Sequence, residues 1–407
     1  MIILKNVRII KDNNLVKTNI QIEDDKITLI NEIICVKDKD AKIIDCKNML
    51  AIPGAIDVHV HFREPGFEYK ETIKTGSQAS AKGGYTVVMP MANLNPVPDN
   101  LEALKMEQDI IDKDAVIKCY PYMSLSKGQK DLELADIDLM HDKVIAISDD
   151  GHGVNNLELL KEAMIKAKKY NLVISSHSET EKTSKVPEGE YEAIQREALL
   201  AQEIGCKYHF CHVSTEQSVE AVREAKKKGF TNITCEVAPH HLIFDESYAT
   251  TPNYKMAPPL RSRHDVEMVR KGLIDGTIDV VATDHAPHSD EEKSREYNKC
   301  PNGIIGIENA LPIIYTEFVK TNLISYERFL DLFVRNAQKI FNIPKYGIYE
   351  GSKANIALLD IDNPHTYTKE EILSKSHNSP YVGTTYYGYN HLTIYEGKIV
   401  YEDLNND

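Results

Sequence analysis

No two cysteines in this sequence are separated by two residues, and the seven present, at 35, 46, 119, 206, 211, 235 and 300, are scattered and odd in number. Neither a disulfide framework nor a thiolate zinc cage is suggested, which fits a reduced, cytoplasmic protein. Long apolar runs are missing too. A membrane-spanning helix needs about 18 consecutive apolar residues, and no such run occurs. The opening "MIILKNVRIIKDNN" reads as a strand and turn rather than a cleaved leader. Basic charge is in deficit: 48 Lys and Arg stand against 62 Asp and Glu, a net charge of −14. Nucleic acid and anionic membrane surfaces are therefore poor partners, although one local arginine could still receive a small anionic substrate. There is no GxSxG elbow for a nucleophilic serine. The first strand is not followed by a Gly-rich phosphate loop, which argues against a doubly wound open sheet.

What is present is an ordinary globular balance, 42% hydrophobic and 27% charged, over 407 residues. Both ends alternate like short strands, as in "IILKNVRII", "NIQIEDDKITLI", "NIALLDID" and "LTIYEGKIVYED". Neither end could build a generous core alone, so residues 1–50 and 345–407 are expected to form one small β-sandwich domain. Between them, apolar runs recur at 54–60, 85–89, 116–120, 144–148, 172–176, 208–212, 232–237 and 278–283. Helical stretches such as "NLELLKEAMIKAKKY" separate them, with apolar residues at three- and four-residue steps. This rhythm predicts an α/β fold, a (β/α)8 TIM-type barrel over residues 51–344.

In a barrel of this kind, chemistry gathers at the carboxyl ends of the strands. The first run leads into "DVHVHFREPG", residues 57–66, where strand alternation would point His59, His61 and Arg63 the same way. Further runs end at Asp149 and Asp150, at His177, at His212 and at Asp284. Any one of these has a bland explanation as a turn, a cap or a half-buried histidine. A single barrel mouth accounts for all of them together. Imidazole and carboxylate suit zinc or another first-row divalent metal, and so many ligands suit two ions sharing a bridge. The chemistry this implies is metal-assisted hydrolysis of an amide-like bond, with Asp284 as the carboxylate that moves the proton.

The ordered set "HVHFREPG", "SDDG", "CHVST", "PPLR" and "TDHAPH" resembles the dihydroorotases of the amidohydrolase superfamily, in their longer, class I form, over nearly the whole chain. The resemblance implies reversible hydrolysis of the ring amide of L-dihydroorotate to N-carbamoyl-L-aspartate, in pyrimidine synthesis. It implies two zinc ions per chain, bridged by hydroxide and Asp150. His59, His61 and Asp284 would hold one ion, and His177 and His212 the other. Arg63, Asn93 and His288 would hold the substrate's carboxylate, while Asn302 and Gly303 would touch its ring. Association with an aspartate transcarbamoylase is a further implication. Related amidases that open hydantoins, dihydropyrimidines or allantoin are the alternative, and they have no carboxylate for Arg63 to grip. Some relatives are metal-free scaffolds, but they lose ligands that this chain keeps.

Two departures stand out. Ala257 occupies the position before "PPLR" where the family usually has Asn, at a cost of about 0.5–1.5 kcal/mol if one hydrogen bond is lost. The segment around Asn93 also looks longer than usual, which makes Asn95 a rival. His240 and His241 are expected to support the site rather than ligate. Cys211 should point away from it, into the core. The stretch "SETEKTSKVPEGE" is expected to be a solvated loop, with a lid over the mouth as the alternative.

Overall fold

The computed structural model describes residues 1–36, 38–182 and 185–404. Its centre is a closed ring of parallel strands: Ala55–Val60, Tyr85–Pro90, Lys118–Cys119 continuing at Tyr122–Met123, Ala146–Ile147, Val173–Ser176, Lys207–Phe210, Ile233–Val237 and Val280–Val281. Each pairs with the next in parallel register. The third strand is interrupted at Pro121, which has no N–H to donate to a ladder. A bridge between Val60 and His285 closes the ring, with the His61 N–H donating to the His285 carbonyl at 2.9 Å.

Asp57 reinforces that closure from inside. Its carboxylate accepts from the Thr283 hydroxyl at 2.6 Å and from the backbone N–H groups of Thr283 and His59, each at 3.1 Å. Burial pushes its pKa up to about 7. The outer helices follow local rules. Helix Leu157–Tyr170 starts where the Asn156 side chain accepts from the Leu159 N–H, and it stops at Asn171 in the left-handed region, φ 57. Its buried positions, Leu159, Leu160, Ala163, Met164 and Ala167, form one stripe facing the strands.

The chain ends share one eight-stranded sheet. Ile2–Lys11 pairs with Asn14–Glu23, Lys42–Asp45 and Leu50–Pro53; the last of these pairs antiparallel with Ile356–Asp360, which pairs in turn with Tyr389–Tyr395. Alternation then divides the side chains between two cores. Leu50, Ile52, Ala357 and Leu359 join the barrel's cluster, while Ala51, Ile356 and Leu358 join a separate cluster with Leu4, Ile20 and Leu392. We propose that residues 1–50 and 345–407 form one folding unit and 51–344 the other. Leu50–Pro53 lies across the seam and sends side chains into both clusters, and Asn390 and Thr393 bind the Ala81 and Lys82 carbonyls of the barrel from the terminal sheet.

Candidate active site

A cleft of about 510 Å³ opens at the carboxyl ends of the barrel strands, lined among others by His61, Arg63, Asn93, Asp150, His177, His212 and Asp284. His59 lies fully buried beneath it. Arg63, His212 and Asp284 have left-handed backbones, with φ of 63, 32 and 48. Such conformations cost energy for non-glycine residues and concentrate at functional sites. The first strand ends at Val60, so Arg63 reaches the cleft by this turn and not by strand alternation, which carries only as far as His61.

Asp150 sits between the two histidine pairs. Its Oδ1 is 3.3 Å from His59 Nε2, 3.6 Å from His177 Nδ1 and 3.7 Å from His212 Nε2; its Oδ2 is 3.5 Å from His61 Nε2. Asp284 Oδ1 lies 2.9 Å from His61 Nε2 and 3.5 Å from His59 Nε2. The neighbouring Asp149 faces away, accepting from the backbone N–H groups of Leu125 at 2.7 Å and Ser126 at 3.1 Å.

These residues fit a divalent metal on three observations. His59, His61 and Asp150 form one buried group of ligand atoms within 4.8 Å of one another, and Asp150, His177 and His212 form a second. His59 Nε2 and Asp150 Oδ1 are buried without a hydrogen-bond partner among the described residues, although buried polar atoms are nearly always paired. The local field is also strongly negative. Burial disfavours charge on His177, yet Asp150 and Glu179 beside it push its pKa up to about 10. Asp150 is held well below the usual carboxylate range by the surrounding imidazoles, against the opposing effect of burial. A field that retains protons on nitrogen serves equally to retain a metal cation.

The remote ring nitrogens are committed. His59 Nδ1 is 2.7 Å from Glu236 Oε1, and His61 Nδ1 is 2.9 Å from Asn93 Oδ1. With Nδ1–H donating in both, Nε2 presents its lone pair toward Asp150 and Asp284. Glu236 also contacts His209 Nε2 at 3.0 Å and accepts from the His212 N–H at 3.3 Å. Sequence reasoning missed it. The available signal was one acid in the apolar run "NITCEV", a costly choice for a barrel strand without buried partners.

The other flank of the cleft is assembled from loops. Arg63 Nε donates to the Pro287 carbonyl at 3.3 Å, and its terminal nitrogens have no hydrogen-bond partner among the described residues. Asn93 lines the cleft; the rival Asn95 is exposed and does not. His288 Nε2 donates to the Asn302 carbonyl at 2.7 Å. Gly303 has φ 132, and a side chain there would come within 2.8 Å of the Ala286 carbonyl oxygen and 2.9 Å of His288. Its N–H donates to the Lys255 carbonyl at 2.9 Å. Its own carbonyl accepts from Lys293 Nζ at 2.8 Å and Asn378 Nδ2 at 3.1 Å. Asn378 was not anticipated: it lies far along the chain, in the segment expected to belong to the terminal β-unit.

Ala257 lines the cleft without a polar side chain to offer. Glu179 and Lys185, from either end of the loop after the fifth barrel strand, also line it; positions 183–184 of that loop lie outside the described residues. His240 and His241 are buried and line no part of the cleft, and His241 Nε2 contacts the Pro258 carbonyl at 3.1 Å. Cys211 is buried in the barrel's apolar cluster and lines no part of the cleft, as expected. Its sulfur lies within 4.8 Å of ligand atoms of the buried His59 and Glu236.

The fold and this donor cluster define a metal-dependent hydrolase of the amidohydrolase type. Among solved structures the chain is similar to an L-hydantoinase from Arthrobacter aurescens (TM-score 0.90, 24% identity, covering 99% of this chain and 96% of that one). It is similar also to a D-hydantoinase from Thermus sp. (TM-score 0.86, 24% identity, 99% and 96% covered); at these identities the likeness is one of fold. A family model described as dihydro-orotase-like matches residues 48–193. Curated relatives called dihydroorotase reach 43% identity in Fusobacterium nucleatum, over 98% of both chains, and 39% in Staphylococcus epidermidis, over 99% of this chain and all of the relative. The chain belongs to the dihydroorotase family.

Proposed function

We propose that the chain hydrolyses the ring amide of L-dihydroorotate to N-carbamoyl-L-aspartate and catalyses the reverse cyclisation, the ring-forming step of pyrimidine synthesis. The observation that carries this reading is the pairing, in one cleft, of a buried His and Asp donor cluster with an arginine whose terminal nitrogens are uncommitted. A guanidinium matches a carboxylate in two parallel hydrogen bonds. Arg63 would anchor the substrate's carboxylate, with Asn93 Nδ2 and His288 beside it and the Asn302–Gly303 backbone against the ring.

Held there, the ring amide faces Asp150 and Asp284. His59, His61, Asp150, His177, His212 and Asp284 would hold the divalent metal, in this reading zinc, whose chemistry when bound would be to acidify a water and polarise the ring carbonyl. Asp284 moves the proton. Its Oδ1 faces the His61 Nε2 lone pair at 2.9 Å, as a second donor atom toward the same place, while its Oδ2 has no hydrogen-bond partner among the described residues and can accept the proton of the attacking water. It returns that proton to the ring nitrogen as the C–N bond breaks, leaving a new carboxylate and an open carbamoyl chain. Glu236 and Asn93 keep His59 and His61 in the tautomer that presents Nε2. Every residue of the cluster comes from one chain, so the reading requires turnover without a partner, even if an aspartate transcarbamoylase associates with the enzyme in the cytoplasm.

The test compares L-dihydroorotate with the neutral rings dihydrouracil and hydantoin, in the wild-type chain and in Arg63→Ala. The reading expects turnover of dihydroorotate with a KM that rises steeply in the variant. Preferred turnover of the neutral rings, indifferent to Arg63, would replace it with a hydantoinase-like activity.

A further inference from the structure

We propose that Lys70 is a positioning residue for the substrate-facing flank of the cleft: by donating to His288 Nδ1 it fixes His288 as the Nε2–H tautomer, the neutral form that donates to the Asn302 carbonyl and so holds the Asn302–Gly303 backbone in place. The proposal rests on the reading that an anionic substrate docks on this flank.

Lys70 Nζ lies 3.3 Å from His288 Nδ1 and 3.1 Å from Glu292 Oε1. An ammonium can only donate, so Nδ1 must accept and the ring proton must sit on Nε2. The other side of the ring agrees: Nε2 faces the Asn302 carbonyl, which can only accept, at 2.7 Å. Burial, with Arg63 and Lys70 adding positive charge nearby, brings the His288 pKa down to about 3, so the ring is neutral and has one N–H to place. Lys70 is not the only group competing for Nδ1. Glu292 Oε2 stands 3.5 Å from it and would draw the proton to that side if the ammonium were gone.

The lysine is held in place from two directions. Its backbone N–H donates to the Phe67 carbonyl at 2.9 Å, and its carbonyl accepts from Ser376 Oγ at 2.6 Å. Two residues further on, Asn378 Oδ1 accepts from the His288 N–H at 3.2 Å. The segment 376–378 thus sets both partners of the contact.

The test reads the ring nitrogens of His288 by NMR in protein labelled with 15N-histidine, the signal being assigned by its absence in His288→Asn, together with KM and kcat for L-dihydroorotate. In the wild type and in Lys70→Arg, which can still donate, Nδ1 is expected to be unprotonated. In Lys70→Met, Nδ1 becomes protonated, the bond to the Asn302 carbonyl is lost and KM rises about tenfold, the upper scale of one such hydrogen bond, while kcat stays within about twofold. An Nδ1 that stays unprotonated in Lys70→Met, or an unchanged KM, overturns the proposal. Should Lys70→Met fail to fold, Glu292→Gln gives a second reading: with the competing carboxylate removed, Nδ1 stays unprotonated, and a protonated Nδ1 there overturns the proposal. Wild-type protein that does not turn over dihydroorotate would instead sink the proposed function, with the nitrogen signals still testing the tautomer.

Discussion

The two flanks of the cleft are built on different principles. The metal-fitting flank stands on strand ends, where His59, His61, Asp150, His177, His212 and Asp284 converge because the barrel brings successive strands to one mouth. Its rigidity comes from within the barrel, through Glu236 behind His59 and Asp57 across the closing seam. The substrate-facing flank stands on loops. Arg63, His288, Asn302 and Gly303 are held by hydrogen bonds to Pro287, Lys255, Lys293 and Asn378, much of it backbone to side chain across long sequence separations. One flank fixes the chemistry, and the other can vary to choose the ring.

That division makes graded predictions. If Asp284 carries the proton as proposed, Asp284→Asn stops that transfer while leaving the carboxylate grip intact. We expect kcat to fall about 10³-fold with KM little changed, measured by steady-state ring opening. Arg63→Ala strikes the opposite flank: KM for dihydroorotate should rise on the order of 10²-fold, while kcat falls much less than in Asp284→Asn. If both variants altered the same constant, the two flanks would not be separable. Glu236→Gln loosens the metal-fitting flank from behind. Metal affinity, read by competition with a chromogenic chelator, should weaken about 10- to 100-fold.

The smallest effect lies outside both flanks. Glu107, on the helix Leu101–Asp114, is buried with both carboxylate oxygens unpartnered among the described residues, and burial raises its pKa well above 4.5. An acid whose folded pKa is raised keeps its proton in the native state. The unfolded chain releases that proton above about pH 4.5, so this group's contribution to stability falls as pH rises past that point. Glu107→Met should therefore be more stable by about 1 kcal/mol near neutral pH, with an advantage that shrinks toward pH 4 in thermal melts. Both flanks should keep their activity.

The same division decides what the sequence made legible. The donor residues on strand ends were readable because each follows a short apolar run, and alternation and barrel geometry bring them together. Asp150 could be preferred to Asp149 from its place before Gly151, and the structure gives Asp149 other work against Leu125 and Ser126. Arg63 was reached for the wrong geometric reason, since a left-handed turn replaces the expected strand. Asn378 and Lys70 were invisible because they meet their partners across 75 to 92 and 218 positions of chain respectively, for which no local pattern exists. Glu236 was within reach, since a lone acid inside a barrel strand implies a buried partner.

The most direct test of the account is ring opening of L-dihydroorotate by the purified chain alone, first stripped by chelator and then supplied with zinc. The account predicts no turnover after stripping and full recovery on adding metal, without any partner protein. Turnover that survives removal of the metal, or none after its return, would contradict it.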